Sequence, residues 1–189
     1  LLTLFATPML VHLARPAGHW LESRLNSAPP IEPEASGEGR RADDPNLVLV
    51  IGFGPAGQRV ATDLDRLEQV ACLVVDLRPA NIELAKSMGL RAVLGDATHL
   101  EFLLHHGLRR ASAVVITVPD HRTVVRLVGS IRHLGDDIAI IARSRYHAFT
   151  DEVTGAGATI VIDEEQHTGR RLLAATREVL KRRGDRPAS

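Results

Sequence analysis

The stretch VLVIGFGPAGQRVATDLDRLEQVACLVVD, residues 48–76, decides the fold. An apolar, β-branched run at Leu47–Ile51 has the length of a buried strand, and the turn Gly52-Phe53-Gly54-Pro55-Ala56-Gly57 follows it. A helical pattern comes next, and a second apolar run, Ala71–Val75, ends on Asp76. The order of strand, glycine turn, helix, strand and acid predicts a nucleotide-binding βαβ unit.

The glycine turn has the residue types that suit a phosphate group. Gly52 permits a tight turn, Gly54 lets the backbone approach a pyrophosphate, and Gly57 lets the helix pack close to the strand. The N–H groups at the start of the helix attract phosphate, and Asp76 can accept hydrogen bonds from ribose hydroxyls. The alternative is a Rossmann-like fold whose glycines serve only packing.

Composition limits the other function classes. The 189 residues are enough for one ordinary domain and a further segment. Lys plus Arg and Asp plus Glu number 23 each, so the net charge does not indicate a nucleic-acid partner. The single cysteine, Cys72, excludes a disulfide framework. The histidines and serines lack metal-ligand spacing and a hydrolase motif, so we predict neither a metal site nor a catalytic residue.

The first 46 residues differ in character from the rest. Residues 1–14 are apolar, and Arg15, His19, Trp20 and Arg24 follow, as is typical of the cytoplasmic end of a transmembrane helix. We interpret residues 1–26 as the end of the last transmembrane helix with its juxtamembrane segment, in a chain that continues upstream. An ordinary amphipathic or buried helix is the alternative. Residues 27–46 are rich in Pro, Glu, Ser and Gly, and predict a disordered linker.

From residue 47 onward, strand and helix patterns alternate. Further strands are expected at 91–94, 113–118, 138–142 and 158–162. Helices are expected at 79–88, after a Thr98 N-cap, and at 119–134, 146–155 and 164–182. The pattern predicts an α/β fold with a Rossmann-like, doubly wound, parallel six-stranded sheet over 47–182, and a tail at 183–189. We expect the ligand at the carboxyl ends of the strands.

Four segments carry a family resemblance: GFGPAGQ at 52–58, Val75-Asp76, Gly95-Asp96-Ala97-Thr98, and IIAR at 140–143. Through them the chain resembles the RCK, or TrkA-N, domain that regulates potassium channels and transporters. Within that group it is similar to the C-terminal domain of Kef-type potassium:proton antiporters, which are monovalent cation:proton antiporters. The resemblance implies that the glycine turn holds phosphates, that Asp76 holds the adenosine ribose, and that residues 96–98 line the adenine side.

The predicted ligand is NAD(H), AMP or another adenine nucleotide. Arg78 could approach a 2′-phosphate, but Asp76 would repel that group, so an unphosphorylated ribose is expected. Pro55 stands where Kef-type proteins often have Arg, so one potential phosphate contact is absent. Residues 163–169 match the glutathione-gated members only loosely, so glutathione gating is not carried over from them. The candidate site consists of Gly52, Phe53, Gly54, Pro55, Ala56, Gly57, Asp76, Leu77, Arg78, Gly95, Asp96, Ala97, Thr98, Thr117 and Arg143.

We therefore expect a non-enzymatic regulatory domain on the cytoplasmic side of the inner membrane, which gates potassium:proton antiport in a membrane domain of the same longer chain. One alternative is a soluble NAD-dependent oxidoreductase, although no stretch beyond the six strands is large enough for a substrate domain. The other is a stand-alone regulatory subunit of a potassium channel or transporter. The apolar stripe of the last helix predicts a homodimer, with packing on its own domain as the alternative. That stripe consists of Leu172, Leu173, Thr176, Val179 and Leu180.

Overall fold

The computed structural model describes residues 46–135 and 137–184, with side chains up to Arg182. The predicted transmembrane segment, nearly all of the predicted linker and residues 185–189 lie outside the described residues. Within the described ranges, no helix is long and apolar enough to span a membrane.

Six strands alternate with helices, as the sequence predicts. The strands are β1 (Leu47–Ile51), β2 (Ala71–Asp76), β3 (Ala92–Leu94), β4 (Ala111–Ile116), β5 (Ala139–Ser144) and β6 (Ile160–Asp163). The helices are α1 (Pro55–Asp65), α2 (Pro79–Ser87), α3 (Leu100–His105), α4 (His121–Arg132), α5 (Thr150–Gly155) and α6 (Glu164–Gly184). Two 3-10 turns lie at Leu108–Arg110 and His147–Phe149.

The strands form one sheet in the order β3-β2-β1-β4-β5-β6, and every neighbouring pair is parallel. The predicted doubly wound α/β fold is therefore confirmed. The chain reverses its direction of travel across the sheet between β1 and β4. In such sheets a crevice opens at the carboxyl ends of the two strands on either side of that reversal.

Both faces of the sheet are covered, which explains why its central strands are apolar without alternation. Val48 and Val50 pack on one face with Phe53 and Ala61, on the side of α1 and α2. The alternate residues of β1, Leu49 among them, pack on the other face with α3, α4 and α5.

Local contacts explain two of the differences between the predicted and the observed helix boundaries. Thr98 does not cap α3, because its N–H and hydroxyl both donate to Asp96 Oδ1, at 2.8 and 2.7 Å, in a turn before the helix. The N-cap is His99. The helix predicted at 146–155 is divided into a 3-10 turn and α5, because Phe149 has φ −105° and ψ 2°, outside helical geometry. Its ring stacks on that of His121, with centroids 3.8 Å apart.

The last helix, α6, stands apart from this core. Every described residue from Glu165 to Arg182 is exposed, and the apolar side chains Leu172 and Leu180 are 65% and 61% exposed. On the adjoining edge strand, Ile160 and Ile162 are about half exposed. The apolar stripe of α6 is thus not covered by the domain's own core.

Candidate functional site

The glycine turn follows β1, and its geometry requires glycine at two positions. Gly52 has φ 93°, a left-handed conformation that favours glycine, and its N–H donates to Val75 O at 2.8 Å. A Cβ on Gly57 would lie 2.0 Å from Gly52 O and 2.9 Å from Thr117 Oγ1. Gly57 therefore permits close packing of α1 against the turn, as its position in the motif predicts.

Gly54 has a different environment from the other two glycines. It has φ −70°, which any residue adopts, and a Cβ built there would meet nothing within 4 Å. The missing side chain leaves open space directly before α1, where no side chain caps the first turn and Pro55 is the first helical residue. A phosphate group could occupy that space and accept hydrogen bonds from the N–H groups of the helix start.

Asp76, at the end of β2, has a structural role that the motif alone does not reveal. Its carboxylate is 8% exposed. Oδ2 accepts from Phe53 N at 2.6 Å and from Asn81 Nδ2 at 2.8 Å, and Oδ1 accepts from Arg78 N at 2.8 Å. A carboxylate has about four acceptor positions. Asp76 thus fixes the glycine turn to the end of β2 and retains about one position for a ribose hydroxyl.

The segment after β3 forms the next wall of the cleft. Gly95 N donates to Asp76 O at 3.0 Å, which ties this segment to β2. A Cβ on Gly95 would lie 2.2 Å from the ring of Phe102, so the two residues are in close contact. The hydroxyl and the N–H of Thr98 donate to Asp96 and hold the pKa of that carboxyl below its usual range. Asp96 is therefore ionised at neutral pH and held in place beside the cleft.

A cleft of about 460 Å³ lies at the carboxyl ends of the strands. Its volume falls in the range of small-molecule and cofactor sites. Most of the predicted site residues line it together: Gly52, Gly54, Pro55, Asp76, Leu77, Arg78, Gly95, Asp96, Ala97, Thr98, Thr117 and Arg143.

Three predicted site residues do not line the cleft. Phe53 is fully buried in the core, and only its N–H takes part in the site, through Asp76. Gly57 lies beneath the turn, and Ala56 lies in the first turn of α1, partly buried.

Six lining residues are absent from the predicted site: Ile51, Val75, Val118, Pro119, Thr123 and Leu127. Four of them have a sequence signal, because they adjoin predicted strand ends. Thr123 lies in the first turn of α4, whose N-cap is Asp120, and Leu127 belongs to the buried face of α4. The helix that follows β4 is therefore part of the site, which the motif does not indicate.

The guanidinium of Arg143 lies on the β5 side of the cleft. Its Nε and Nη2 donate to Glu164 Oε2 at 2.9 and 2.6 Å, and Nη1 donates to Thr117 O at 3.3 Å. The carboxylates of Asp76 and Asp96 thus lie on the β2 and β3 side of the cleft, with the exposed side chain of Arg78 beside them. The guanidinium of Arg143 lies on the side of β4 and β5. Among the described residues, no group of three or more His, Cys, Asp or Glu is arranged to hold a metal ion.

Comparison with known proteins places this geometry in a family. The model of the TrkA-N domain matches residues 48–164. The TrkA-N domain of the inner membrane protein ybaL from Escherichia coli is 28% identical, with a TM-score of 0.65, over 70% of this chain and 98% of its own.

Three further solved structures carry nucleotides. GsuK bound to ADP is 29% identical, with a TM-score of 0.59, over 71% of this chain and 34% of its own. The GsuK channel bound to NAD is 20% identical, with a TM-score of 0.63, over 82% of this chain and 27% of its own. The Shewanella denitrificans Kef CTD in its AMP-bound form is 21% identical, with a TM-score of 0.62, over 71% of this chain and 81% of its own. At 20% and 21% identity, the last two matches are evidence of a shared fold alone.

Proposed function

Because the chain belongs to the TrkA-N domain family, we propose that it binds an adenine nucleotide in this cleft and regulates a membrane transporter of potassium or another monovalent cation. The observation that carries the proposal is the open space at Gly54, directly before the uncapped start of α1 and beside the buried carboxylate of Asp76. Phosphate and ribose are the groups that suit these two neighbours.

The proposed pose follows the chemistry of the walls. The ribose donates a hydroxyl to the remaining acceptor position of Asp76, and the first phosphate lies at Gly54 against the start of α1. The adenine lies against the segment of Asp96, Ala97 and Thr98, as the family resemblance implies. NAD(H), AMP and ADP share this adenosine monophosphate portion, so the proposal covers all three. It is supported by the 29% identical relative GsuK, which carries ADP, while the relatives that carry NAD and AMP share the fold.

For the biological role, we propose a cytoplasmic domain at the inner membrane that gates potassium:proton antiport in a membrane domain of the same longer protein. The names of two relatives support a role in membrane transport: one is an inner membrane protein and the other is a channel. A ligand can shift such a gate only if it binds one conformation of the domain better than the other, and about 1–3 kcal/mol of difference is typical of such coupling.

We further propose that two copies pair through β6 and α6. The support is the set of exposed apolar side chains on these two elements: Ile160 and Ile162 on the edge strand, and Leu172, Leu173 and Leu180 on the helix. A two-fold pair would cover this surface, and a closed two-fold dimer is the commonest assembly of soluble chains. Rotation of one copy against the other would then transmit the state of the cleft to the membrane part.

The nucleotide site is tested by calorimetric titration of the 189-residue chain with AMP. We expect Gly54→Val to abolish binding, because the valine side chain would fill the space of the phosphate while leaving the turn intact. Gly129→Val is the matched control, since Gly129 also has no neighbour within 4 Å but lies in α4 away from the turn. Undiminished AMP binding by Gly54→Val, in a chain that melts like the wild type, would refute the site.

The role in gating is tested in membrane vesicles that contain the native transporter. We expect potassium efflux to respond to AMP or NAD in the wild type, and the response to disappear in Gly54→Val while efflux itself persists. Nucleotide-independent efflux in the wild type would contradict the regulatory role.

The assembly is tested by sedimentation of the same chain. The double variant Leu172→Asp with Leu180→Asp is expected to sediment as a monomer, because it places two charges in the proposed interface. Leu67→Asp with Met88→Asp is the control, since both residues are exposed outside β6 and α6. A stable dimer should be populated at roughly tens of micromolar. A wild-type chain that sediments as a monomer at that concentration would exclude this assembly.

A further inference from the structure

Arg143 connects the cleft with the start of α6. Its guanidinium, on a side chain that is 23% exposed, donates twice to Glu164, the first residue of α6. It also donates to the carbonyl of Thr117, which follows β4 and whose hydroxyl donates to Gly52 O at 2.8 Å. One side chain therefore bridges the immediate neighbour of the glycine turn and the first turn of the exposed helix.

The first turn of α6 is also held by two carboxylates that do not line the cleft. Asp163 Oδ1 accepts from Gln166 N at 2.8 Å, and Glu165 Oε2 accepts from His147 N at 2.9 Å. Neither carboxylate faces the cleft, whose lining includes Arg143 but not Asp163 or Glu165. Among the described residues of this first turn, Glu164 is thus the one bonded to a cleft-lining side chain.

We propose that Glu164 and the ligand compete for the guanidinium of Arg143. A ligand with a second phosphate draws the guanidinium away from Glu164 and frees the first turn of α6; we call this exchange the latch. This inference rests on the proposed nucleotide function. Gly54 follows the end of β1, and the guanidinium donates to Thr117 O just after the end of the adjacent β4, so both border the same cleft. The first phosphate stays at the glycine turn, and the second is the group that reaches Arg143.

Competition for Arg143 favours phosphate over Glu164. A terminal phosphate has more negative charge than a carboxylate and offers several acceptor oxygens to the planar guanidinium fork. In the present arrangement Nε and Nη2 both bond to a single oxygen of Glu164, and that carboxylate is 44% exposed, so water can replace its partner. The coupling is reciprocal: whatever loosens Glu164 must strengthen binding of the second phosphate.

Calorimetry with AMP and ADP on the 189-residue chain tests the latch. Glu164→Gln removes the competitor, so we expect ADP affinity to rise about 3- to 5-fold, the size of a partly exposed ion pair, while AMP affinity is unchanged. Arg143→Gln should remove the advantage of ADP over AMP. Glu165→Gln and Arg145→Gln are the matched controls, because each makes the same charge change within two residues without contacting the Arg143–Glu164 pair.

Hydrogen exchange at the amides of the first turn of α6 supplies a second readout. We expect ADP, but not AMP, to accelerate exchange there in the wild type. In Glu164→Gln the exchange should already be fast and should not respond to ADP. Because this variant keeps Arg143 and the whole core, the measurement stands even if Arg143→Gln does not fold.

The outcomes separate the latch from the function on which it rests. If AMP and ADP bind with the same affinity in both the wild type and Glu164→Gln, and α6 exchange does not respond to ADP, the latch is refuted and the nucleotide site stands. If neither nucleotide binds to the wild type, the proposed function is refuted and the latch with it.

Discussion

Replacing Asp76 with alanine tests how the glycine turn is held. The substitution removes the acceptor of three hydrogen bonds, from Phe53 N, Arg78 N and Asn81 Nδ2. The Phe53 N–H is buried, and a buried donor without a partner costs about 1–3 kcal/mol. The other two donors are partly buried and can turn to water, so we expect a total loss of about 2–4 kcal/mol in the free energy of unfolding.

Thermal unfolding of the 189-residue chain without nucleotide measures this loss. A domain of this size shifts by about 3 °C per kcal/mol, so Asp76→Ala should lower Tm by roughly 6–12 °C. The Tm of Asp76→Asn should lie between that of the wild type and that of Asp76→Ala, because its amide keeps one acceptor oxygen. The control is Asp63→Ala, whose carboxylate pairs only with Arg59 and Arg66 at the surface among the described contacts, and it should change stability by less than about 0.5 kcal/mol.

The result that would refute this reasoning is an Asp76→Ala chain that melts within about 2 °C of the wild type, less than the loss of the single buried bond allows. Asp76 would then be dispensable for the turn, and its only remaining role would be toward the ligand. If the expected loss is seen, reduced nucleotide binding by Asp76→Ala cannot be assigned to the ribose alone, and Gly54→Val remains the cleaner test of the site.

Three further predictions follow from single contacts. Gly57→Ala should destabilise the fold by about 1–3 kcal/mol in urea unfolding, because its Cβ would overlap Gly52 O, and a wild-type midpoint would contradict that packing. The hydrogen bond with Asp163, and then the charge of Asp163, raise the pKa of His147. The hydrogen bond from Gln166 N–H, and then the one with His147, lower the pKa of Asp163. The wild type should therefore melt above His147→Asn at about pH 5.5, and the difference should shrink as pH rises through the raised pKa of His147; a constant difference to about pH 8.5 would exclude the charged pair. Burial, followed by the charge of Asp65, raises the pKa of the Cys72 thiol to about 12, so an alkylating reagent should label it at the rate of unfolding, and rapid labelling of the native chain would contradict its burial.

The fold could be predicted because its signals are local. Runs such as Leu47–Ile51 and Ala71–Val75 are apolar and β-branched, and the glycines between them determine both the turn and the contact of α1 with it. Element ends depend on finer contacts. At Thr98, a side chain bonded to Asp96 displaces the helix start by one residue, and propensity alone does not reveal such a competing turn.

Most residues that line the cleft could be predicted from the sequence, but their hydrogen bonds could not. The motif indicates Asp76 as a ribose partner, whereas its three bonds to the protein require knowledge of where Phe53 and Asn81 lie in space. Likewise, Arg143 and Glu164 are 21 positions apart on different elements, and their pairing depends on how α6 leaves β6. Contacts of this kind follow from tertiary geometry and have no periodic signature.

The strand order also has a consequence for how the chain folds. β1, β2 and β3 form one consecutive half of the sheet, β4, β5 and β6 form the other, and the two halves join through the pairing of Leu47–Ile51 with Ala111–Ile116. Pairing β1 with β4 closes the long stretch of chain between them, and this is entropically the most demanding step. Each half can therefore be expected to assemble before the two halves join. The cleft has residues from both halves, Asp76 from the first and Thr117 from the second. A bound nucleotide would therefore contact both halves and shift the folding equilibrium toward the complete sheet by mass action. The same ligand would then assist folding as well as regulate the folded domain.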